Sequence, residues 1–301
     1  MIFGLFRTIR FYLVCICCTI TVGSYAQLKE DSLQINEFNH LFLGNPSNAI
    51  TDTSHKENFL LLKKQYALSY NTHTKIPNWV SWKVDDFWLG KITRQGNFRK
   101  DTSLPSDWYH VSYDDYTKSG FDRGHLCPSA DRTDSEEDNA STFFMTNIIP
   151  QAHENNSKTW LGLENYVRKL VEEKNDLYVI AGPYGKGGIG RDGEIKYEIG
   201  EGICVPEYVW KIILVIHRGE NDLEKINTHT RVIAVWIPNT EESGKHPWYY
   251  YRVSVDFIEE KTGYDFFSKI DPAIQDEIES TIDHLFINEP IKKKNKSKSH
   301  Q

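Results

Sequence analysis

Apolar residues gather in this chain in short β-branched and aromatic runs separated by polar turns. Tyr66–Tyr70, Trp79–Lys83, Asp176–Ala181, Val209–Ile216 and Thr230–Ile237 are of this kind. They predict strands of a central, mainly antiparallel sheet. One stretch has a different period. Between Lys158 and Lys174, Trp160, Leu163, Val167, Leu170 and Val171 recur at helical spacing, and Asn155 to Ser157 offer capping side chains at the start. On such a helix Trp160, Glu164 and Arg168 lie four apart and share a face, with Asn156 at its entrance. The pattern predicts an α+β chain, a sheet flanked by helices.

The two ends read differently. Arg7 and Arg10, an apolar run from Phe11 to Val22, and Ser24-Tyr25-Ala26 have the layout of a secretory signal peptide over residues 1–26. The apolar run is shorter than the roughly 20 residues needed to cross a bilayer. Cleavage near Ala26 and export, without a stable membrane anchor, are therefore expected. Residues 27–60 are polar and weakly periodic, with Asn45-Pro46-Ser47-Asn48 as a turn cluster, and read as a leader that is partly ordered at best. The main domain is expected over 61–288. The end, 289–301, is rich in Lys and Ser and reads as a basic solvated tail.

Charge and cysteine usage narrow the class. The formal charge is −7, and loss of Arg7 and Arg10 leaves 33 basic against 42 acidic side chains, or −9. That excludes indiscriminate electrostatic coating of nucleic acid; any polyanion must be met by a local cationic cleft. Three of the five cysteines lie in the leader, leaving Cys127 and Cys204. They could form one disulfide in an exported protein or stay as two buried thiols, since a chain this long can bury a core without staples.

The chemistry is concentrated in Ser119–Asp131, which contains Asp122-Arg123-Gly124-His125. A carboxylate, a guanidinium and an imidazole together supply what phosphodiester hydrolysis needs: a base for water, a cation near the phosphate and a group to orient the base. His125 is the candidate base. Asn147-Ile-Ile-Pro-Gln151 follows, and then Asn156-x3-Trp160-x3-Glu164-x3-Arg168. Taken alone, Glu164 and Arg168 would read as an exposed i,i+4 pair; the upstream motif argues for a site.

From about Tyr66 to about Phe267 this succession resembles the DNA/RNA non-specific endonucleases of the ββα-metal class. The resemblance implies a ββα-metal site on the sheet, with Asn156 as the single direct protein ligand of a divalent ion, normally Mg²⁺. Mn²⁺ accepts the same oxygen ligands. It further implies that Glu164 holds metal-bound waters, and that Arg168 contacts the phosphate or orients Glu164. Arg94, in Arg-x3-Phe-x2-Asp, becomes a transition-state arginine, with Arg99 as its substitute. Asp122 and Arg123 become scaffold and phosphate-side residues, and Asn147 and Gln151 shape the site. The expected substrates are DNA and RNA, with 5′-phosphate and 3′-hydroxyl products; the sequence does not tell whether a protein inhibitor restrains the enzyme.

Other readings stay open beside this one: a nucleic-acid-binding protein without turnover, and a hydrolase of another phosphodiester. Cys127, two residues from His125, invites a Cys/His nucleophile, but the local sequence specifies no oxyanion donors, and a packed thiol is the simpler reading. Gly185–Gly190 lacks the Lys-Ser/Thr ending of a phosphate loop and is expected to be a flexible turn. Trp248–Tyr251 could stack bases, but such residues in a strand more often pack a sheet face. No base-reading module is present, so weak sequence preference is expected.

Overall fold

The computed structural model describes residues 40–219 and 222–287. Its centre is a seven-stranded sheet in the order β1-β2-β3-β6-β11-β12-β13. These strands are Phe59–Leu62, Ala67–Asn71, Ile76–Val84, Asn175–Tyr184, Tyr208–His217, Arg231–Pro238 and Arg252–Val253. Every neighbouring pair is antiparallel, as expected, and all five predicted strands are present.

Both faces of the sheet are covered, which explains why β11 reads as an almost unbroken apolar run rather than an alternating one. One face carries Val209, Ile213, Val179, Ala181 and Trp82, packed under Trp160, Leu163, Val167 and Leu170 of the predicted helix. The opposite face carries Ile212, Leu214 and Ile180, packed under Leu43, Phe266, Phe267, Val255 and Ile278.

Two further strands stand off the main sheet as a hairpin: β4 (Asp122–His125) and β5 (Ile148–Gln151), registered Asp122 to Gln151 and His125 to Ile148. A short helix α1 (Glu136–Ser141) lies in the connection, with Ser135 accepting from the Asp138 N–H as its cap. After β5 the chain makes a π-helical turn, Asn155–Trp160, and continues as α2 (Leu161–Glu172). Hairpin and helix together make the expected ββα unit. Downstream, β7 (Gly188–Ile189) pairs with β8 (Ile195–Lys196), and β9 (Glu198–Ile199) with β10 (Ile203–Cys204). Helices α3 (Val255–Thr262) and α4 (Pro272–Ser280) close the second face.

Several expectations are corrected. The folded body begins by residue 40, not 61: Leu43 and Ala49 are buried against the sheet, Ile50 bridges to Phe59, and Asn45 bonds the Ala49 backbone in both directions. This segment lacks periodicity because it covers the sheet as a loop. Trp248–Tyr251 is a 3-10 turn rather than a strand; Trp248 is buried beside Tyr166, whereas Tyr250 stacks on His246 at 4.1 Å and is exposed. Gly185–Gly190 does begin as a turn, with Gly185 at φ +68°, but its end enters the β7–β8 hairpin. Asn155, Asn156 and Ser157 lie within the π turn and do not cap it, since the turn starts earlier than the apolar period suggested. Cys127 and Cys204 are both free and buried. The signal-peptide residues 1–26, leader residues 27–39 and the basic tail 289–301 fall outside the described residues.

His40 anchors the edge of this body. It is buried, with Nε2 2.7 Å from the Lys64 carbonyl oxygen, and its own carbonyl accepts from Ser81 Oγ at 2.6 Å. Burial first, and then the Arg132 charge, push its imidazole down to about 3. An unfolded imidazole takes up a proton near pH 6.5, so stability is full above that pH and is lost as pH falls toward the folded value. Urea unfolding between pH 7 and pH 4.5 is expected to show this loss. In His40→Gln the slope should be shallower by up to about 1.4 kcal/mol per pH unit.

Candidate active site

The hairpin is held in place by its own buried polar groups. Asn147, wholly buried, accepts from the Cys127 N–H at 3.0 Å and donates to the carbonyls of Cys127 at 2.8 Å and Thr142 at 2.9 Å. It thereby fixes the backbone two residues beyond His125. Trp160 donates its indole N–H to the His125 carbonyl at 3.2 Å, tying the helix entrance to the same residue. Gln151 donates to Asn155 Oδ1 at 3.0 Å, and Asn155 donates to the Pro238 carbonyl at 2.8 Å, so β5 and the π turn are fastened to the end of β12. Asn147 and Gln151 therefore fix the backbone of the hairpin and of the turn that follows it.

Gly124 allows that closeness. A Cβ there would lie 2.2 Å from Gln151 Oε1 and 2.6 Å from Gln151 Cβ, separations that no packed side chain tolerates.

His125 is 7% exposed, with its ring 5.2 Å from that of Phe98 and edge-on to Phe143 at 4.9 Å. Its Nε2 is buried and has no hydrogen-bond partner among the described residues. A polar atom left this way costs about 1–3 kcal/mol and asks for a functional reason. Burial, and then the Arg94 charge, push the imidazole down to about 3, so it is neutral throughout the neutral range.

Arg94 stacks over Phe143 at 4.8 Å and donates to Ser129 Oγ at 2.9 Å. Arg99 instead lies over Phe144 at 4.2 Å and does not line the cavity beside the hairpin. That cavity, of about 440 Å³, is lined by Arg94, Lys118, Asp122, Arg123, Asn156 and Arg191, with Phe98 and Tyr113 as aromatic walls. Four cations against one carboxylate give a positive pocket on an acidic protein, the local cleft that the charge balance required.

Asp122 receives three donors or partners: Arg191 at 2.8 Å, Asn156 Nδ2 at 3.1 Å and His153 Nδ1 at 2.8 Å. Burial alone would raise its pKa, but the bonds from Asn156 and His153 and the Arg191 charge hold it below the usual carboxylate value. Asn156 gives its amide nitrogen to Asp122, and its Oδ1 accepts no hydrogen bond among the described residues. That oxygen is available as a hard ligand. Arg123 donates to the Tyr113 carbonyl at 2.7 Å, with its guanidinium 3.5 Å from the Tyr113 ring centroid.

Glu164 and Arg168 do not form the direct pair that their spacing allowed. Arg168 donates to Asp131 Oδ1 and to Asn165 Oδ1, each at 2.8 Å, and it does not line the cavity. Glu164 is buried, with Lys211 Nζ at 3.9 Å. Burial pushes the Glu164 carboxyl up, against the charges of Lys211 and Arg168. Burial also pushes the Cys127 thiol up to about 12, which removes the thiolate a Cys nucleophile would need.

Sequence reading missed His153, Arg191 and Lys211. His153 stands between Gln151 and Asn156, a position that could have signalled it. Arg191 and Lys211 carry no local signal, because the β7–β8 hairpin and the centre of the sheet bring them in from afar.

The chain matches the family described as DNA/RNA non-specific endonuclease over residues 44–273. It is 47% identical over 245 residues to a nuclease of Nostoc sp., covering 81% of this chain and 86% of that protein. To the mitochondrial nuclease EXOG of Danio rerio it is 34% identical over 216 residues, covering 70% of this chain and 60% of the relative. A solved structure of an EndoG/EndoGI complex, described as revealing the mechanism of EndoG inhibition, superposes with a TM-score of 0.64 at 25% identity. The match covers 79% of this chain and 93% of that one. The chain therefore belongs to the DNA/RNA non-specific endonuclease family, a class of phosphodiester hydrolases.

The close approach at Gly124 is testable. Gly124→Ala is expected to lose about 1–3 kcal/mol of stability through overpacking against Gln151, measured by urea unfolding. An unchanged midpoint would show that Gln151 moves aside without cost.

Proposed function

We propose that the protein is an exported, divalent-metal-dependent endonuclease that hydrolyses phosphodiester bonds of DNA and RNA without reading sequence. The observation that carries this reading is the buried, unpartnered Nε2 of His125, on a hairpin whose neighbouring residues line a cationic cavity.

His125 accepts a proton from water as the water oxygen attacks phosphorus. The P–O3′ bond breaks, leaving a 5′-phosphate and a 3′-oxygen that is protonated from solvent. Phe98 and Phe143 hold the ring and exclude bulk water from it, so that the proton is taken at one place. Arg94 and Arg123 face the non-bridging oxygens, where negative charge builds up, and fixed cations in a partly enclosed site stabilise it strongly. Asp122 draws on Asn156 Nδ2, and this turns the Asn156 amide oxygen into the free end of the side chain.

The donor chemistry suits Mg²⁺ or Mn²⁺, which take oxygen ligands and keep several waters. Asn156 would hold the ion directly, and Asp122 and Glu164 would accept hydrogen bonds from its waters. When bound, the ion supplies charge neutralisation at the phosphate and the leaving oxygen. Arg168, engaged with Asp131, acts on Glu164 through its charge rather than on the phosphate.

Contacts are to phosphate, common to every sequence, and the described residues include no helix long and apolar enough to cross a membrane. Export follows from the leader's layout alone.

The test is plasmid nicking and RNA degradation by purified protein, with Mg²⁺ and with EDTA. His125→Ala is expected to reduce turnover by about 10²–10⁴-fold while DNA binding persists; full activity in that variant would sink the mechanism. Asn156→Ala should lose both rate and its response to added Mg²⁺, and an unchanged metal titration would show that the ligand lies elsewhere. Protein that shifts DNA but never cuts it would replace the enzyme by a binding protein.

A further inference from the structure

Strand β11 carries one charged side chain into the packed interior. Lys211 pairs in register with Ala181 on one side and Val235 on the other. It points to the same face as Val209 and Ile213 and is 1% exposed. Its ammonium lies 4.0 Å from the ring centroid of Trp160 and 5.5 Å from that of Trp82, with Glu164 at 3.9 Å. An ammonium in such a place is costly, and well-packed apolar residues often replace buried ion pairs at no loss or at a gain of stability. The sheet itself has no need of this charge.

Its use lies in what it faces. Four charged groups surround Glu164: Lys211 from β11, Arg168 from its own helix, Asp131 from the turn after β4, and Arg94 from the loop before the hairpin. Arg168 is already bonded to Asp131 at 2.8 Å, and Arg94 is turned to Ser129 and Phe143. Lys211 is thus the cation paired with Glu164. Burial pushes the two groups toward their neutral forms, the carboxyl up and the ammonium down, and each opposes the shift of the other.

We propose that Lys211 is a positioning residue of the hydrolytic site, the buried counter-charge that holds Glu164 as a carboxylate. The inference rests on the nuclease reading in assigning Glu164 to the reaction. Without the ammonium, Glu164 takes up a proton, becomes a donor, and can no longer serve as the charged acceptor that its assigned role requires. Lys211 touches neither substrate nor reacting atoms; it acts through Glu164. The same ammonium lies against Trp160, whose N–H bonds the His125 carbonyl; the unbranched apolar methionine of Lys211→Met keeps that ring packed, so the variant reads the charge.

The experiment follows the Glu164 carboxyl directly, by ¹³C NMR of metal-free protein labelled at glutamate carboxyl carbons, with the resonance assigned from Glu164→Gln. In the wild type Glu164 is expected to be ionised at pH 7. In Lys211→Met its midpoint should rise by about 1–3 pH units, the effect of an opposite charge at this range. The acidic limb of the DNA-cleavage rate profile should move with it. The double variant Lys211→Met/Glu164→Gln should cleave no more slowly than Glu164→Gln alone. A Glu164 that is protonated at pH 7 in the wild type overturns the proposal without any variant, so it stays testable even if Lys211→Met does not fold. A folded Lys211→Met with an unmoved midpoint overturns it equally. Absence of metal-dependent cleavage in the wild type would instead overturn the nuclease reading, and the titration would still report on the pair.

Discussion

Trp160 is the contact on which the site depends. Fully buried at the junction of the π turn and α2, it gives its indole N–H to the His125 carbonyl and its ring face to the Lys211 ammonium. One side chain thus joins the hairpin that carries the base, the helix that carries Glu164, and the centre of the sheet. A hairpin of two four-residue strands has little stability of its own. Docked on Trp160 and clamped by Asn147, it keeps a buried imidazole in place even though its Nε2 has no hydrogen-bond partner among the described residues.

The electrostatics follow the same economy of placement. The chain is acidic overall, yet Arg94, Lys118, Arg123 and Arg191 converge on one cavity. Arg123 and Arg191 are held by backbone or carboxylate partners, so part of their charge is balanced before any substrate arrives. What remains is a focused field rather than a basic surface, suited to capturing a polyanion and letting the products go.

Much of this was legible in the chain. The five strands could be read from β-branched runs, and the family from a spacing of polar residues that chance seldom produces. Glu164 and Arg168 share one helix as expected, and the exposed pair that their spacing alone suggests does not form, because the helical period tells which residues are neighbours and not which partner from another element wins. Asp131 took Arg168, and Lys211 took Glu164. The domain boundary lies earlier than residue 61 for a related reason: residues 40–58 cover a sheet face as a loop, and a loop's apolar contacts leave no period to read. Arg191 became visible only when folding set it against Asp122.

The wide turn at Asn155–Trp160 has a consequence for how the family's sequences can drift. Each residue advances an ordinary helix by 100°, and the π turn absorbs one residue without that advance, so it sets the rotational phase between Asn156, facing the cavity, and Trp160, facing the core. Ser157 and Lys158 between them are half-buried and exposed, and many side chains would serve there. Their number would not. Losing one residue would swing the tryptophan off the sheet or the asparagine off the cavity, so the interval is fixed together with buried Thr159, whose hydroxyl bonds the Ser243 and His246 carbonyls, while the identities of residues 157 and 158 are free.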